Sequence, residues 1–149
     1  MNDNLHEENL VISKDWTEEE TKAVCDGLKK YNRKSSRPLD EQWNETINLI
    51  LKTKDGEVVG GIMCYMFMYS LYIDVLWVDE KYRSQNYGSK LIAEAEKIAK
   101  EKGCILIDTC TFSYQAPGFY VKCGYEIYGI LEGYPEGIKK YHLKKVISQ

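Results

Sequence analysis

The sequence predicts an α+β protein: one mixed, mostly antiparallel sheet of about seven strands, flanked by about four helices. Three observations carry this. Strand-like runs at 46–52, 57–68 and 71–78 follow one another with short connections, which makes an antiparallel meander. A helix-period segment, 89–102, then leads into a buried-type strand at 104–111, a β-α-β crossover. Two last strand-like runs, 125–131 and 138–147, close the chain as a hairpin.

In chain order, residues 9–13 (Asn-Leu-Val-Ile-Ser) make a short strand candidate. Asp15 or Thr17 can cap the next helix, each with a glutamate three residues on. Val24, Leu28 and Tyr31 recur at helical spacing, and the helix is expected to end near Asn32. Residues 33–39 read as a loop stiffened by Pro38, and 40–44 as one helical turn. Asp55-Gly56 is a hairpin signal between the first two meander strands. Gly60-Gly61 marks a bulge or a close approach in the second. The next turn, near Tyr69-Ser70, has neither glycine nor proline to fix it. In 89–102, Leu91, Ile92, Ala95, Ile98 and Ala99 form one apolar stripe, and Gly103 stands where a helix stops. A short helix over 117–123 ends at Gly124.

With 149 residues, 44% hydrophobic and 29% charged, the chain is expected to be a single domain, 1–149, with its own core. A net charge of −3 argues against a nucleic-acid partner. Lys139, Lys140, Lys144 and Lys145 alternate with apolar residues, as on a solvated strand face. Five cysteines without a CxxC pair, and two histidines, argue for reduced thiols and against a metal site. The first ten residues are polar and acidic and the longest apolar run is short, so a cytoplasmic protein without membrane association is expected.

The functional signal lies in Leu76-Trp77-Val78-Asp79-Glu80-Lys81-Tyr82-Arg83-Ser84-Gln85-Asn86-Tyr87-Gly88-Ser89: a strand, a polar turn and a helix start. A helix start presents unpaired N–H groups and the positive end of a dipole, which suits phosphate. A Walker loop does not fit, since Gly88-Ser89-Lys90 reverses its order and lacks the upstream glycine. A dinucleotide fingerprint does not fit either, because only Gly88 is present and a meander precedes it.

Arg83-Ser84-Gln85-Asn86-Tyr87-Gly88 instead resembles the R/Q-x-x-G-x-G/A turn of the GNAT family of N-acetyltransferases, with Asn86 at the middle glycine. Asparagine tolerates left-handed backbone better than most residues. About 30 residues on, Ala116-Pro117-Gly118-Phe119-Tyr120-Val121-Lys122-Cys123-Gly124-Tyr125 resembles the family's A-x-x-F-Y-x-x-x-G-F/Y signature. The resemblance extends from Glu57 to the C-terminus and points to a bacterial branch of small enzymes.

The resemblance implies a fold with a V-shaped splay between its fourth and fifth strands. It implies acetyl transfer from acetyl-CoA, as co-substrate and without metal, to a primary amine of a small molecule or peptide. An acyl-CoA-binding regulatory module without turnover is the alternative. By the family pattern, the Arg83, Ser84, Gln85, Asn86, Tyr87, Gly88 and Ser89 turn cradles the CoA diphosphate. By the same pattern, Leu76, Trp77 and Val78 run beside the pantetheine arm, with the Leu76 N–H polarising the acetyl carbonyl. The resemblance also implies that Phe119 and, more weakly, Ser113 contact the cofactor, and that Tyr120 is the general acid for the departing thiolate. Asp74 is the candidate base, as the one charge in the run 62–78; strand alternation puts it on one face with Tyr72, Leu76 and Val78. Cys110 and Cys123 are read as packing. Glu132, Tyr134 and Glu136 suit a cationic acceptor, and a homodimer through strand edges is compatible with the fold.

Overall fold

The computed structural model describes residues 10–35 and 44–147. They belong to two compact units, Met1–Leu39 and Asp40–Gln149. In the first, α1 spans Glu18–Ser35. Thr17 is its cap: the Thr17 N–H donates to the Glu20 carboxylate (2.7 Å), and the Glu20 N–H donates to the Thr17 hydroxyl (3.2 Å). The helix runs past Asn32, and its basic last turn, Arg33 and Lys34, suits the negative end of the dipole. Residues 10–13 form no strand. The expected turn at 40–44 falls outside the described residues apart from Asn44.

The second unit holds β1 (Glu45–Lys52), β2 (Val58–Phe67), β3 (Ser70–Val78), α2 (Tyr87–Glu101), β4 (Leu106–Phe112), α3 (Pro117–Lys122), β5 (Glu126–Leu131) and β6 (Lys140–Val146). The sheet order is β1-β2-β3-β4-β6-β5, and only β3–β4 is parallel, across the α2 crossover. The class is thus the expected one. Among the described residues there are six strands rather than seven, and three α-helices rather than four, with 3₁₀ turns at Glu80–Tyr82 and Pro135–Gly137.

The apolar stripe of α2 makes the core. Leu91, Ile92, Ala95 and Ala99 are buried against Ile62, Cys64, Leu71, Ile73, Ile107 and Leu143. Each such leucine or isoleucine contributes roughly 1.5–3 kcal/mol of burial. Gly60 and Gly61 mark close approaches: a β-carbon on Gly60 would lie 2.8 Å from the Trp77 carbonyl oxygen, and one on Gly61 2.8 Å from that of Leu49. The β2–β3 turn uses Met68 (φ 47°) and Tyr69 (φ 62°), and the Ser70 hydroxyl donates to the Phe67 carbonyl at 2.6 Å.

Two irregularities of β3 shape its C-terminal end. Met63 pairs with Val75 but Cys64 pairs with Ile73, so Asp74 is the extra residue of a β-bulge. The bulge reverses side-chain parity. Leu71 and Ile73 face the core before it, and Leu76 and Val78 pack against the core after it. Tyr72 therefore does not share a face with Leu76 and Val78, contrary to simple alternation. The second irregularity is where β3 and β4 part. Their pairing runs from Ser70↔Leu106 to Ile73↔Thr109 and stops. Beyond it β3 stays with β2, and β4 stays with β6. The V-shaped splay thus opens between β3 and β4, with its apex at Ile73 and Thr109.

Candidate active site

The turn after β3 is held from both sides. The Asp79 carboxylate accepts from the Lys81 N–H at 2.9 Å, and the Asp79 N–H donates to the Val59 carbonyl at 2.8 Å. Arg83 Nε donates to the Val78 carbonyl at 3.0 Å, which brings the guanidinium back onto the strand end. Ser84 (φ 63°) and Asn86 (φ 64°) are left-handed, so Asn86 occupies the conformation that a glycine takes most freely. α2 starts at Tyr87, two residues earlier than expected. Asn86 makes no side-chain cap bond, so its side chain does not occupy the orphan N–H groups of the first turn. That turn holds no acid, and Lys90 Nζ lies over the Tyr87 ring at 5.2 Å. Open donors, a dipole end and a cation together make an anion site.

α3 packs onto this turn. Pro117 opens α3 with φ preset for a helix. A β-carbon on Gly88 would lie 3.1 Å from Phe119 Cζ, so the ring fills the space beside the glycine. Tyr120 follows, buried between Phe119 (5.5 Å between ring centroids) and Tyr125 (5.7 Å). Burial raises the Tyr120 pKa above the ordinary phenol value; the neighbouring Thr109 hydroxyl pulls the other way without cancelling it. The phenol stays protonated at neutral pH, as a proton donor must. Thr109 Oγ1 donates to the Ile73 carbonyl at 3.0 Å, across the apex of the V.

A cleft of about 930 Å³ occupies the splay. The end of β3 from Asp74 to Val78 lines one side, and Cys110, Thr111 and Tyr120 line the other. Arg83, Ser84, Asn86, Tyr87, Gly88 and Ser89 close one end, with Phe119 beside them. Leu76, Val78 and Thr111 lie on the helix side of the sheet, whereas Val75, Trp77 and Cys110 lie on the opposite face. The cleft therefore passes through the sheet where the ladder is broken.

Of the residues expected in the site, Gln85 and Ser113 do not line it. The Ser113 hydroxyl accepts from the Lys139 N–H (3.0 Å), and its N–H donates to the Lys139 carbonyl (2.8 Å); it ties two chain segments together instead. Asp74 does line it, exposed on the bulge. Sequence reasoning missed Thr109 and Gln115. The Gln115 carbonyl accepts from the Phe112 N–H (2.8 Å) and the Thr111 hydroxyl (3.2 Å), so it shapes the loop leading into α3. Neither carries a sequence signal, since a buried strand threonine and a loop glutamine serve many ends.

Known proteins resemble this chain closely. The family model described as "Acetyltransferase (GNAT) family" matches residues 11–125. A blasticidin-S acetyltransferase from Streptomyces morookaense is 42% identical over 91 residues, 60% of this chain and 67% of the relative. The crystal structure of an acetyltransferase from Bacillus cereus is similar at TM-score 0.85 and 39% identity, covering 92% of this chain and 98% of that one. A Bacillus anthracis acetyltransferase solved with acetyl coenzyme A is similar at TM-score 0.62 and 28% identity, over 70% of this chain and 64% of that one.

Proposed function

The chain belongs to the GNAT family of acyl-CoA-dependent N-acetyltransferases, and we propose that it moves an acetyl group from acetyl-CoA to a primary amine of a small-molecule acceptor by direct attack in a ternary complex. One observation supports this most. The anion-binding first turn of α2 and the buried phenol of Tyr120 open into one cleft at the β3–β4 splay, coupled by Phe119 against Gly88. The Streptomyces relative is named for a small-molecule antibiotic, which favours a small molecule over a peptide.

The residues present fit the co-substrate. Left-handed Ser84 and Asn86 turn the chain, and Gly88 brings bare backbone to the cleft wall. Acetyl-CoA supplies the activated acetyl group. Arg83 and the first-turn N–H groups hold the diphosphate. The Leu76 N–H polarises the carbonyl, a contribution typically of about 2.7–4 kcal/mol for such a donor. Asp74, carried by the bulge into the cleft, takes a proton from the acceptor's ammonium, directly or through water, and the free amine then attacks the acetyl carbonyl. Tyr120 gives its proton to the sulfur as the carbon–sulfur bond breaks and the amide forms. Direct transfer needs no enzyme nucleophile, which leaves Cys110 and Cys123 without a covalent role.

Thiol release from acetyl-CoA, measured with blasticidin S and a panel of amines and peptides, tests the proposal. Release that depends on a small-molecule amine is expected. Acetyl-CoA binding without release for any amine would instead identify a regulatory module, and release with peptides alone would move the acceptor class.

A further inference from the structure

The face of the sheet opposite α2 carries a polar and aromatic cluster beside the splay that the transfer chemistry does not use. Cys110, Asp108 and Tyr72 share this face, since their strand neighbours Thr109, Ile107, Leu71 and Ile73 face the core. Tyr72 stands beside Asp108 in the parallel ladder, and its hydroxyl lies 3.1 Å from Cys110 Sγ, which lines the cleft. The Tyr65 ring lies 5.1 Å from that of Tyr72. The Tyr128 hydroxyl donates to Asp108 Oδ1 at 2.9 Å, and Tyr128 is the extra residue of a second bulge, between Ile127 and Gly129.

Asp108 has no basic partner among the described residues. Its cross-strand neighbour is Lys144, the residue placed to neutralise it. Lys144 Nζ turns away instead, to Glu126 at 3.4 Å, and lies 5.9 Å from the centre of the Tyr128 ring. The carboxylate is half-buried, held by one phenol and flanked by another. A carboxylate among tyrosine rings, with its neutralising lysine diverted, recognises a cation.

We infer that Asp108, oriented by Tyr128 and flanked by Tyr72, binds a second positive charge on the acceptor, so that the preferred acceptors are small molecules with at least two basic groups. This rests on the acetyltransferase reading above. Asp108 and Cys110 are two residues apart on β4, roughly 7 Å along the strand. One cation held at Asp108 therefore leaves a second amine, a short aliphatic linker away, at the broken ladder where acetyl is delivered. Tyr128 is a positioning residue in this scheme. Asp108 sets specificity and takes no part in proton transfer.

The test compares 1,4-diaminobutane and spermidine with n-butylamine, in wild type, Asp108→Asn and Tyr128→Phe. Two quantities are read: the diamine-to-monoamine ratio of kcat/KM, and calorimetric binding of the diamines with CoA present. Losing a charge-assisted contact is expected to lower the ratio and the diamine affinity about tenfold in Asp108→Asn. A smaller loss is expected in Tyr128→Phe. Acetyl-CoA affinity measured without amine serves as the folding control. Equal ratios in wild type and Asp108→Asn, or no diamine binding to wild type, would overturn the inference. Asp108-dependent diamine binding without turnover would leave it standing and overturn the catalytic reading instead.

Discussion

Phe119 and Gly88 meet across the gap between α3 and the first turn of α2: a β-carbon there would lie 3.1 Å from Phe119 Cζ, tight enough that the ring would have to give. The two motifs that identify the family are thus one packed unit. Gly88→Val is expected to push the ring and α3 outward and to weaken acetyl-CoA binding by on the order of tenfold, about 1.4 kcal/mol. Calorimetric titration with CoA reads this, with far-ultraviolet circular dichroism to show that α2 persists.

Asn86 holds a left-handed φ of 64° at the cap of α2. The left-handed region costs an ordinary L-residue about 1–2 kcal/mol, and asparagine enters it more readily than alanine does. Asn86→Ala is therefore expected to lower Tm by roughly 2–4 °C per kcal/mol lost. Asn86→Gly, which relieves the conformation, is expected to retain both Tm and CoA affinity. Thermal unfolding of the two variants side by side checks the sign.

What is legible in the sequence depends on where each feature stores its information. The stripe Leu91-Ile92-Ala95-Ala99 and Gly103, at φ 90° past the end of α2, are side-chain and glycine signals, and both read correctly. Asp55-Gly56 does the same for the β1–β2 hairpin, where Gly56 has φ 89°. The next turn hides, because Met68 and Tyr69 take left-handed backbone that ordinarily asks for glycine or asparagine. The bulge at Asp74 hides for a deeper reason. A register shift is a property of two strands together, and it moves Tyr72 off the face of Leu76 and Val78 although 71–78 reads as strand throughout. Position in a motif puts Ser113 at the cofactor, while its hydroxyl and N–H are both engaged with Lys139.

Alkaline pH is expected to destabilise the fold. Burial raises the Tyr125 pKa, and the Glu96 carboxylate, which accepts its hydroxyl at 3.1 Å, raises it further. Burial raises that of Tyr120 too. The unfolded chain releases these protons from about pH 10, while the folded chain holds them. Their stabilisation is thus complete below about pH 10 and is lost as pH rises through the raised folded values. Urea midpoints between pH 8 and 11.5 check this: the midpoint should fall above pH 10, and less steeply in Tyr125→Phe.

Asp74 stands exposed on the bulge at the edge of the cleft. Asp74→Asn is expected to lower kcat by about 10²-fold or more if the carboxylate takes the ammonium proton directly, and less if water carries it. CoA affinity should stay unchanged. Steady-state kinetics across pH, paired with CoA titration, separates a lost base from a disturbed site.

The most direct measurement is amine-dependent thiol release from acetyl-CoA by wild type and Tyr120→Phe, with CoA affinity measured for both. A general acid at Tyr120 predicts steady release in wild type, and a fall in kcat of about 10²–10⁴-fold in the variant at unchanged CoA affinity. Wild-type kcat in Tyr120→Phe, or CoA binding without release by wild type for any amine, would contradict it.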